Sequence, residues 1–458
     1  MAIAFFGGLF LLFFFPPLDP DLGWQLRCGQ EIWNQHTFCS QNTFTVLLSG
    51  YNWPNHYWLY QTILWPFYQL TGLTGLTLFN AFLMTASFIF FYKAIKTEPI
   101  YKFAAIILII FLSWGIFGLG IRSQLFSFFW FNLLLFIFNK GRRWLYLTPI
   151  IMLLWANTHG GSVILGVLLT LFFYYKKPWL VIVSLGTTLL NPYGINIYFD
   201  ALRHFAGAIK LSELIAEWVP PSLEIKMIGL IGLIGLIALI KKINLSIVVL
   251  FLFLLLSFSA RRHIPFYFDL LFFFYLNEVH RLTKIKTGLS KILSLVLILF
   301  LLFFSSMRVL PSLSTISSWQ NYCDNTNLPY PCKAIEFMKT LPKGNIYNRY
   351  EWGGFFIWQL PDYKMFVDGR MPAWPANSAG KVKSPYTIYL ETLQNQPGWQ
   401  ETLKQYDIKY LFINPGVFMD LLLRPDPKLY GWQEVYRDKI SVIYQKGITK
   451  AAYYLLKN

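Results

Sequence analysis

Long uninterrupted apolar runs constrain this chain more than any motif does. Ile3 to Phe15 and Ile292 to Phe304 contain no charged residue, and such runs read as passages through hydrocarbon rather than as buried core. Charged residues are only 13% of the 458 and hydrophobic ones 55%. That is about half the charged share of an ordinary soluble domain, which excludes disorder and a simple water-soluble enzyme. Apolar stretches near 2–17, 74–92, 103–120, 124–139, 144–158, 162–175, 178–190, 227–240, 243–258, 264–278 and 291–306 predict an α-helical polytopic membrane protein of about 11 spans. Met1 to Pro17 is taken as the first span rather than a cleaved signal, because it lacks a basic start and a small-residue cleavage site.

The formal net charge of +17 would suggest a nucleic-acid partner in a soluble protein, but its placement gives another reason. If the first span leads outward, the inner loops hold Lys93, Lys96 and Lys102, then Lys140, Arg142 and Arg143, then Lys176 and Lys177, then Lys241 and Lys242, then Arg281, Lys284 and Lys286. Every inner loop is then basic, as the positive-inside bias requires. No nucleic-acid partner is expected. The same orientation puts a loop over 18–72, a second over 191–226 and the tail outside. The expected domains are therefore a transmembrane part, 1–310, and an extracytoplasmic α/β domain, 311–458.

In that tail, Lys364 to Asp368 and Tyr410 to Ile413 read as short strands, Ala334 to Thr340 and Trp399 to Tyr406 as helices, and Trp432 to Tyr436 with Ile440 to Tyr444 as a terminal hairpin. Cys28 and Cys39 lie in the first outer loop, and Cys323 and Cys332 at the head of the tail. Short separations suggest two local disulfides in an oxidising compartment, against the alternative of four unpaired thiols. No cysteine or histidine spacing supports a zinc site.

Chemistry gathers on the outer face. Asp19-Pro20-Asp21 follows the first span, and two carboxylates there suit a general base or, with help from substrate phosphate or water, a divalent cation such as Mg or Mn. The bland reading is a helix N-cap or a solvated loop. No other cofactor is expected. Trp24 to Trp33 has the pattern of a helix lying along the interface, and Trp53, Tyr57, Trp58, Tyr60 and Trp65, with His56 among them, read as an aromatic belt. Arg122 with Gln124, His159, and Arg261-Arg262-His263 each sit where a span should end. Arginines so placed suit a phosphate, which guanidinium groups hold bidentately, although snorkelling side chains would look the same. Glu217 in Glu217-Trp218 adds an acid at the membrane edge and complements the Asp pair. Asp368-Gly369-Arg370 in the tail, behind an apolar strand, is either a ligand-binding loop or a tight turn.

Taken together, several residues resemble those of bacterial polytopic proteins related to the GT-C superfamily of membrane glycosyltransferases, among them the protein O-mannosyltransferases. They are Asp19-Pro20-Asp21 with Trp24 and Gly29, Trp53 to Gln61, Arg122-Ser123-Gln124, Trp155 to Gly160, Asn191-Pro192-Tyr193-Gly194, Glu217-Trp218, Arg261-Arg262-His263, Trp352-Gly353-Gly354 and Asp368-Gly369-Arg370. The resemblance covers most of the chain. It implies an inverting transfer from a polyprenyl-phosphate-linked sugar to a glycan, lipid or protein acceptor, at the outer face of a bacterial plasma membrane. It also implies that an acid of the first outer loop, Asp19 ahead of Asp21, acts on the acceptor, with Glu217 as a third acid. His56, Arg122, His159, Arg261, Arg262 and His263 are then the substrate-binding candidates. Here the motif is Asp-Pro-Asp, where the O-mannosyltransferases carry an adjacent acidic pair. Two other functions stay open: a transporter or flippase for a lipid-linked saccharide, and a non-catalytic membrane-anchored assembly protein.

Overall fold

The computed structural model describes residues 1–206, 215–241, 243–282, 287–326, 330–371, 374 and 383–447. Lys242, Lys284 and Lys286, expected in inner loops, lie outside these residues. The described chain is mostly helical with one small sheet near its C-terminal end. Every stretch expected as a span contains a helix, from Ala2–Leu12 to Thr287–Ile316. Among the described residues, four helices are long and apolar enough to cross a membrane: Leu73–Ala94, Pro99–Phe117, Ala216–Ile240 and Gly288–Ile316. Others are shorter, such as Ala2–Leu12 and Pro178–Thr188, and a helix of that length rises only about 16 Å against roughly 30 Å of hydrocarbon.

Local chemistry sets the helix ends. Pro99, Pro178 and Pro385 occupy first turns, where a missing N–H costs nothing. Asn244, Ser318 and Ser384 accept backbone N–H bonds as N-caps. Gly72 follows the helix Trp58–Thr71 at φ +63°, a conformation that glycine adopts without strain.

The chain forms two compact units that are not consecutive in sequence. One comprises Met1–Leu18 with His56–Ile316, the other Asp19–Asn55 with Ser317–Asn458. Residues 19–55, expected with the first apolar part, thus group with the tail. In the first unit, aromatic rings fill the spaces between helices, as with Phe5 and Phe103, whose centroids are 4.1 Å apart. Polar groups of the helices bond to backbone carbonyls: Ser305 Oγ donates to Gly8 O at 2.9 Å and Asn80 Nδ2 to Phe13 O at 2.8 Å. Hydrocarbon offers no water for such groups.

The second unit is built on a four-stranded sheet, β1 (Asn345–Asn348), β2 (Ile408–Ile413), β3 (Trp432–Arg437) and β4 (Val442–Lys446), in the order β1-β2-β4-β3. β1 and β2 are parallel and the other pairs antiparallel. The expected helices over 334–340 and 399–406 are present as Cys332–Met338 and Trp399–Gln405, and the terminal hairpin as β3–β4. Lys364 to Asp368 is not a strand of the sheet. Only Met365 bridges, to Ile346 on one side and Thr45 on the other, so residues of the first loop border the sheet. Both local disulfides, Cys28–Cys39 and Cys323–Cys332, are in this unit.

Two expectations about aromatic residues are corrected. Trp24 lies at the start of the helix Leu22–Gln35, yet it is buried against Trp53, with ring centroids 5.8 Å apart, rather than turned to headgroups. Tyr60 and Trp65 are likewise buried in the first unit while Tyr57 and Trp58 are half-buried, so most of the aromatic run is core rather than belt.

Glycines allow the helix Leu22–Gln35 to meet the helix Gly353–Gln359 backbone to backbone. A Cβ at Gly23 would stand 2.0 Å from Gly354 O, and one at Gly354 would stand 2.4 Å from Pro20 O. Gly23→Ala should therefore destabilise the protein by about 1–3 kcal/mol, seen as a lower melting temperature in detergent. Gly7→Ala, where a Cβ meets nothing within 4 Å, should leave the melt unchanged or raise it slightly.

Candidate functional site

In the first unit, Arg122, Glu217 and Arg262 meet from three separate turns. Arg122 immediately precedes the helix Ser123–Lys140, while Glu217 and Arg262 lie in the 3-10 turns Ala216–Trp218 and Arg261–His263. Arg122 Nη1 stands 2.7 Å from Glu217 Oε2, and Arg262 Nη1 stands 3.5 Å from Oε1. Gln124 Nε2 donates to Arg262 O at 2.8 Å, and the Arg262 guanidinium lies over the Trp218 ring at 4.7 Å. One carboxylate thus serves two guanidinium groups, and the group of three keeps one net positive charge. Side chains here are about one-seventh exposed, 15% for each arginine and 13% for Glu217, so the attraction is only partly screened. Such an arrangement can receive an anion with several oxygens.

The other candidates of this unit fall around it. Arg261 is exposed and stands apart from the pair; its backbone N–H bonds Val219 O. His263 is buried, and its Nδ1–H donates to Leu256 O at 3.0 Å. His159 is buried too: Ser127 Oγ lies 2.7 Å from its Nδ1, and Trp155 Nε1 donates to that same oxygen at 2.9 Å. Asn157 and Thr158 accept from Trp58 and Trp130. The motif Trp155 to His159 is therefore a set of ties among neighbouring helices. His56 Nε2 faces Asp200 Oδ2 at 2.7 Å. Asp200 was not singled out in the sequence; its signal is an acid on the helix Asn196–Ala206, inside the second expected outer loop. Asp269 was also missed. It is fully buried in the helix Ile264–Leu282, with Asn132 as its polar neighbour, and a carboxyl group so placed in an apolar helix is a recognisable signal.

In the second unit, Asp19-Pro20-Asp21 leads into the helix Leu22–Gln35. Asp21 N–H donates to Asp19 Oδ1 at 3.1 Å, and Asp21 occupies the N-cap position without capping through its own side chain. Asp19 is buried. Both tail motifs pack here, since a Cβ at Gly369 would stand 1.9 Å from Asp21 Oδ1. Glycine at 354 and 369 is thus what lets the backbone approach the acids. Three tyrosines that drew no notice in the sequence, Tyr322, Tyr330 and Tyr350, feel these charges. Burial first, then the charges of Asp21 and Asp368, push the Tyr350 phenol well above its usual range. Burial, then Tyr322, Asp19 and Asp21, do the same for Tyr330. These phenols keep their protons at neutral pH and remain donors.

Asp368-Gly369-Arg370 is a tight turn rather than an open ligand loop. Arg370 N–H and Nε both donate to Asp368 Oδ1 at 2.9 Å, and Nη2 to Oδ2 at 2.6 Å. Nη2 also reaches Asn42 Oδ1 at 3.2 Å, and the guanidinium lies 5.1 to 5.7 Å from the rings of Trp24, Phe44, Trp53 and Trp374. Among the described residues, no group of three or more His, Cys, Asp or Glu side chains is gathered as a metal would require.

No protein-family profile matches the sequence, and no curated protein matches it. Solved structures do match in fold. ArnT from Cupriavidus metallidurans, in a crystal structure with undecaprenyl phosphate bound, is 10% identical and aligns over 97% of each chain with a TM-score of 0.50. The apo oligosaccharyltransferase of Archaeoglobus fulgidus is 11% identical, covering 94% of this chain and 71% of its own, with a TM-score of 0.49. The chain thus shares its overall fold with ArnT. Glu217→Ala should strand two arginines and cost about 3 kcal/mol, whereas Arg261→Ala should change stability by less than about 0.5 kcal/mol. Chemical denaturation of the detergent-solubilised variants checks both.

Proposed function

We propose that this chain is a membrane glycosyltransferase that takes a sugar from a polyprenyl-phosphate donor and passes it to an acceptor on the outer face of a bacterial plasma membrane, with inversion. The observation that carries the reading is the Arg122–Glu217–Arg262 group, a cationic site preorganised on polar turns of an otherwise apolar unit. A fold shared with ArnT, whose crystal structure contains undecaprenyl phosphate, supports it.

In the proposed reaction an acceptor hydroxyl or amine attacks the anomeric carbon. The bond from that carbon to the phosphate oxygen breaks, and polyprenyl phosphate leaves with the electron pair. The acceptor's proton passes to a carboxylate of the first loop, Asp19 in first place and Asp21 in second. Arg122 and Arg262 hold the phosphate and meet the charge that grows on it as the bond breaks. Glu217 is better suited to fixing those guanidinium groups than to proton transfer, because both of its oxygens face them. Phenols near the Asp pair, Tyr330 and Tyr350, supply donors for a bound hydroxyl.

A second reading, transport of a lipid-linked saccharide, is favoured by one observation. Asp269 is a fully buried acid inside an apolar helix, and charges at such depth commonly mark a translocation path. Purified protein in liposomes separates the two. Transfer predicts release of polyprenyl phosphate from a polyprenyl-phosphate sugar, with Asp19→Asn slowing kcat at least about 100-fold in a variant that melts like the wild type. Movement of the donor between leaflets without release, abolished by Asp269→Leu, would establish transport instead. Wild-type rates in both Asp19→Asn and Asp21→Asn would remove the first-loop acids from the mechanism.

A further inference from the structure

The second unit shows few large apolar side chains to solvent, and they are not spread evenly. Among its described residues these are Trp33, Phe38 and Leu48 in the first loop, and Phe418, Leu421 and Leu429 in the tail. The tail group is the more exposed, at 65%, 55% and 74%. Phe418 and Leu421 are three residues apart on the helix Phe418–Leu423 and so share a face. Leu429 lies in the next turn, Pro427–Tyr430, which packs on that helix.

Their exposure is built in. The opposite face of the same helix is buried through Met419, Asp420 and Leu423. Asp420 is held from three sides: Arg437 Nη2, Gly416 N–H and Tyr444 Oη all donate to it at 2.7 Å. With Asp420 fastened to β3 and β4, Phe418 and Leu421 have no route inward. Arg424 and Lys428 are exposed within the same segment with Asp426 between them, so its exposed charges are basic by one, the buried Asp420 being paired with Arg437.

We infer that Phe418, Leu421 and Leu429, flanked by Arg424 and Lys428, form a lipid-contact site that inserts at the headgroup boundary of an anionic membrane. Three considerations select lipid over a protein. Three protruding side chains fall well short of the roughly 800 Å² per partner of a stable protein interface. Apolar tips beside basic residues match an acyl boundary covered by anionic headgroups. Finally, the chain enters this unit directly from Gly288–Ile316, a helix long and apolar enough to cross a membrane, so a bilayer is always within tether reach and binding is effectively intramolecular. The inference goes beyond the proposed transfer and holds whichever reaction the chain performs.

The test uses the full chain in nanodiscs of phosphatidylethanolamine and phosphatidylglycerol. All four native cysteines are in disulfides, so Leu421→Cys supplies a single thiol for an environment-sensitive nitrobenzoxadiazole dye. Glu401→Cys, on an exposed position of the helix Trp399–Gln405, is the reference. Brominated acyl chains should quench the dye at 421 about twofold and leave that at 401 unquenched, and Arg424→Glu with Lys428→Glu should reverse the quenching. Equal quenching at both positions overturns the inference, as does a dye at 421 that iodide reaches as freely as at 401. Shielding from iodide at 421 without quenching by brominated lipid also overturns it, and assigns the patch to a protein partner or a second copy.

Discussion

The buried pair of Arg370 and Asp368 is the interaction on which the second unit depends. Ionised groups pulled out of water are costly unless they are paired and well hydrogen-bonded. Here the carboxylate accepts from the arginine's own backbone and side chain, Asn42 takes a further bond, and four aromatic rings cover the cation. Asn42, Phe44, Trp24 and Trp53 come from the first loop, while Asp368, Arg370 and Trp374 come from the tail. Two stretches more than three hundred residues apart are thereby made parts of one core. The close glycine contacts between the helices Leu22–Gln35 and Gly353–Gln359 then follow, since only backbone can fill the narrow space that remains.

This unit also marks the limit of what could be read from the sequence. Apolar runs located most helices of the first unit, though not Trp58–Thr71 or Asn196–Ala206, and two short apolar stretches located the β3–β4 hairpin, because both are local properties of the chain. The two disulfides, with separations of 11 and 9 residues, were legible for the same reason. Nothing local says that Trp24 and Trp53 face an arginine of the tail instead of lipid. An aromatic side chain suits either setting, and only the long-range partner decides. Met365 shows the same thing in a strand-like run, because a single residue bridging on each side gives no ladder of its own.

Among the candidate polar residues, type was legible and role was not. Arg122, Arg262 and Glu217 stood out as charges at expected span ends, and the fold joins them. Arg261, adjacent to Arg262, stays exposed, because a 3-10 turn sends neighbouring side chains in different directions. His159 had the character of a ligand-binding residue, yet its ring is taken up by Ser127 and, through that hydroxyl, by Trp155. Asp200 and Asp269 differ from the other candidate carboxylates in lacking a conspicuous neighbour in sequence. Their partners, His56 in the turn before the helix Trp58–Thr71 and Asn132 on the helix Ser123–Lys140, are distant in sequence.

The discontinuous make-up of the second unit also bears on biosynthesis. A ribosome delivers residues 19–55 early and the last described strand, Val442–Lys446, near the end. At about 5–20 residues per second, some 390 intervening residues take roughly 20 to 80 s. For about the first four-fifths of that interval, until residues 370–374 are made, Trp24, Phe44 and Trp53 have neither Arg370 nor Trp374 to pack against. The Cys28–Cys39 bond can close within its own stretch of chain during the wait, but it supplies no core. A nascent chain of this protein therefore presents a tryptophan-rich surface well before its completing half exists, and the burden of keeping it from aggregating falls on chaperones or the bilayer surface rather than on the fold.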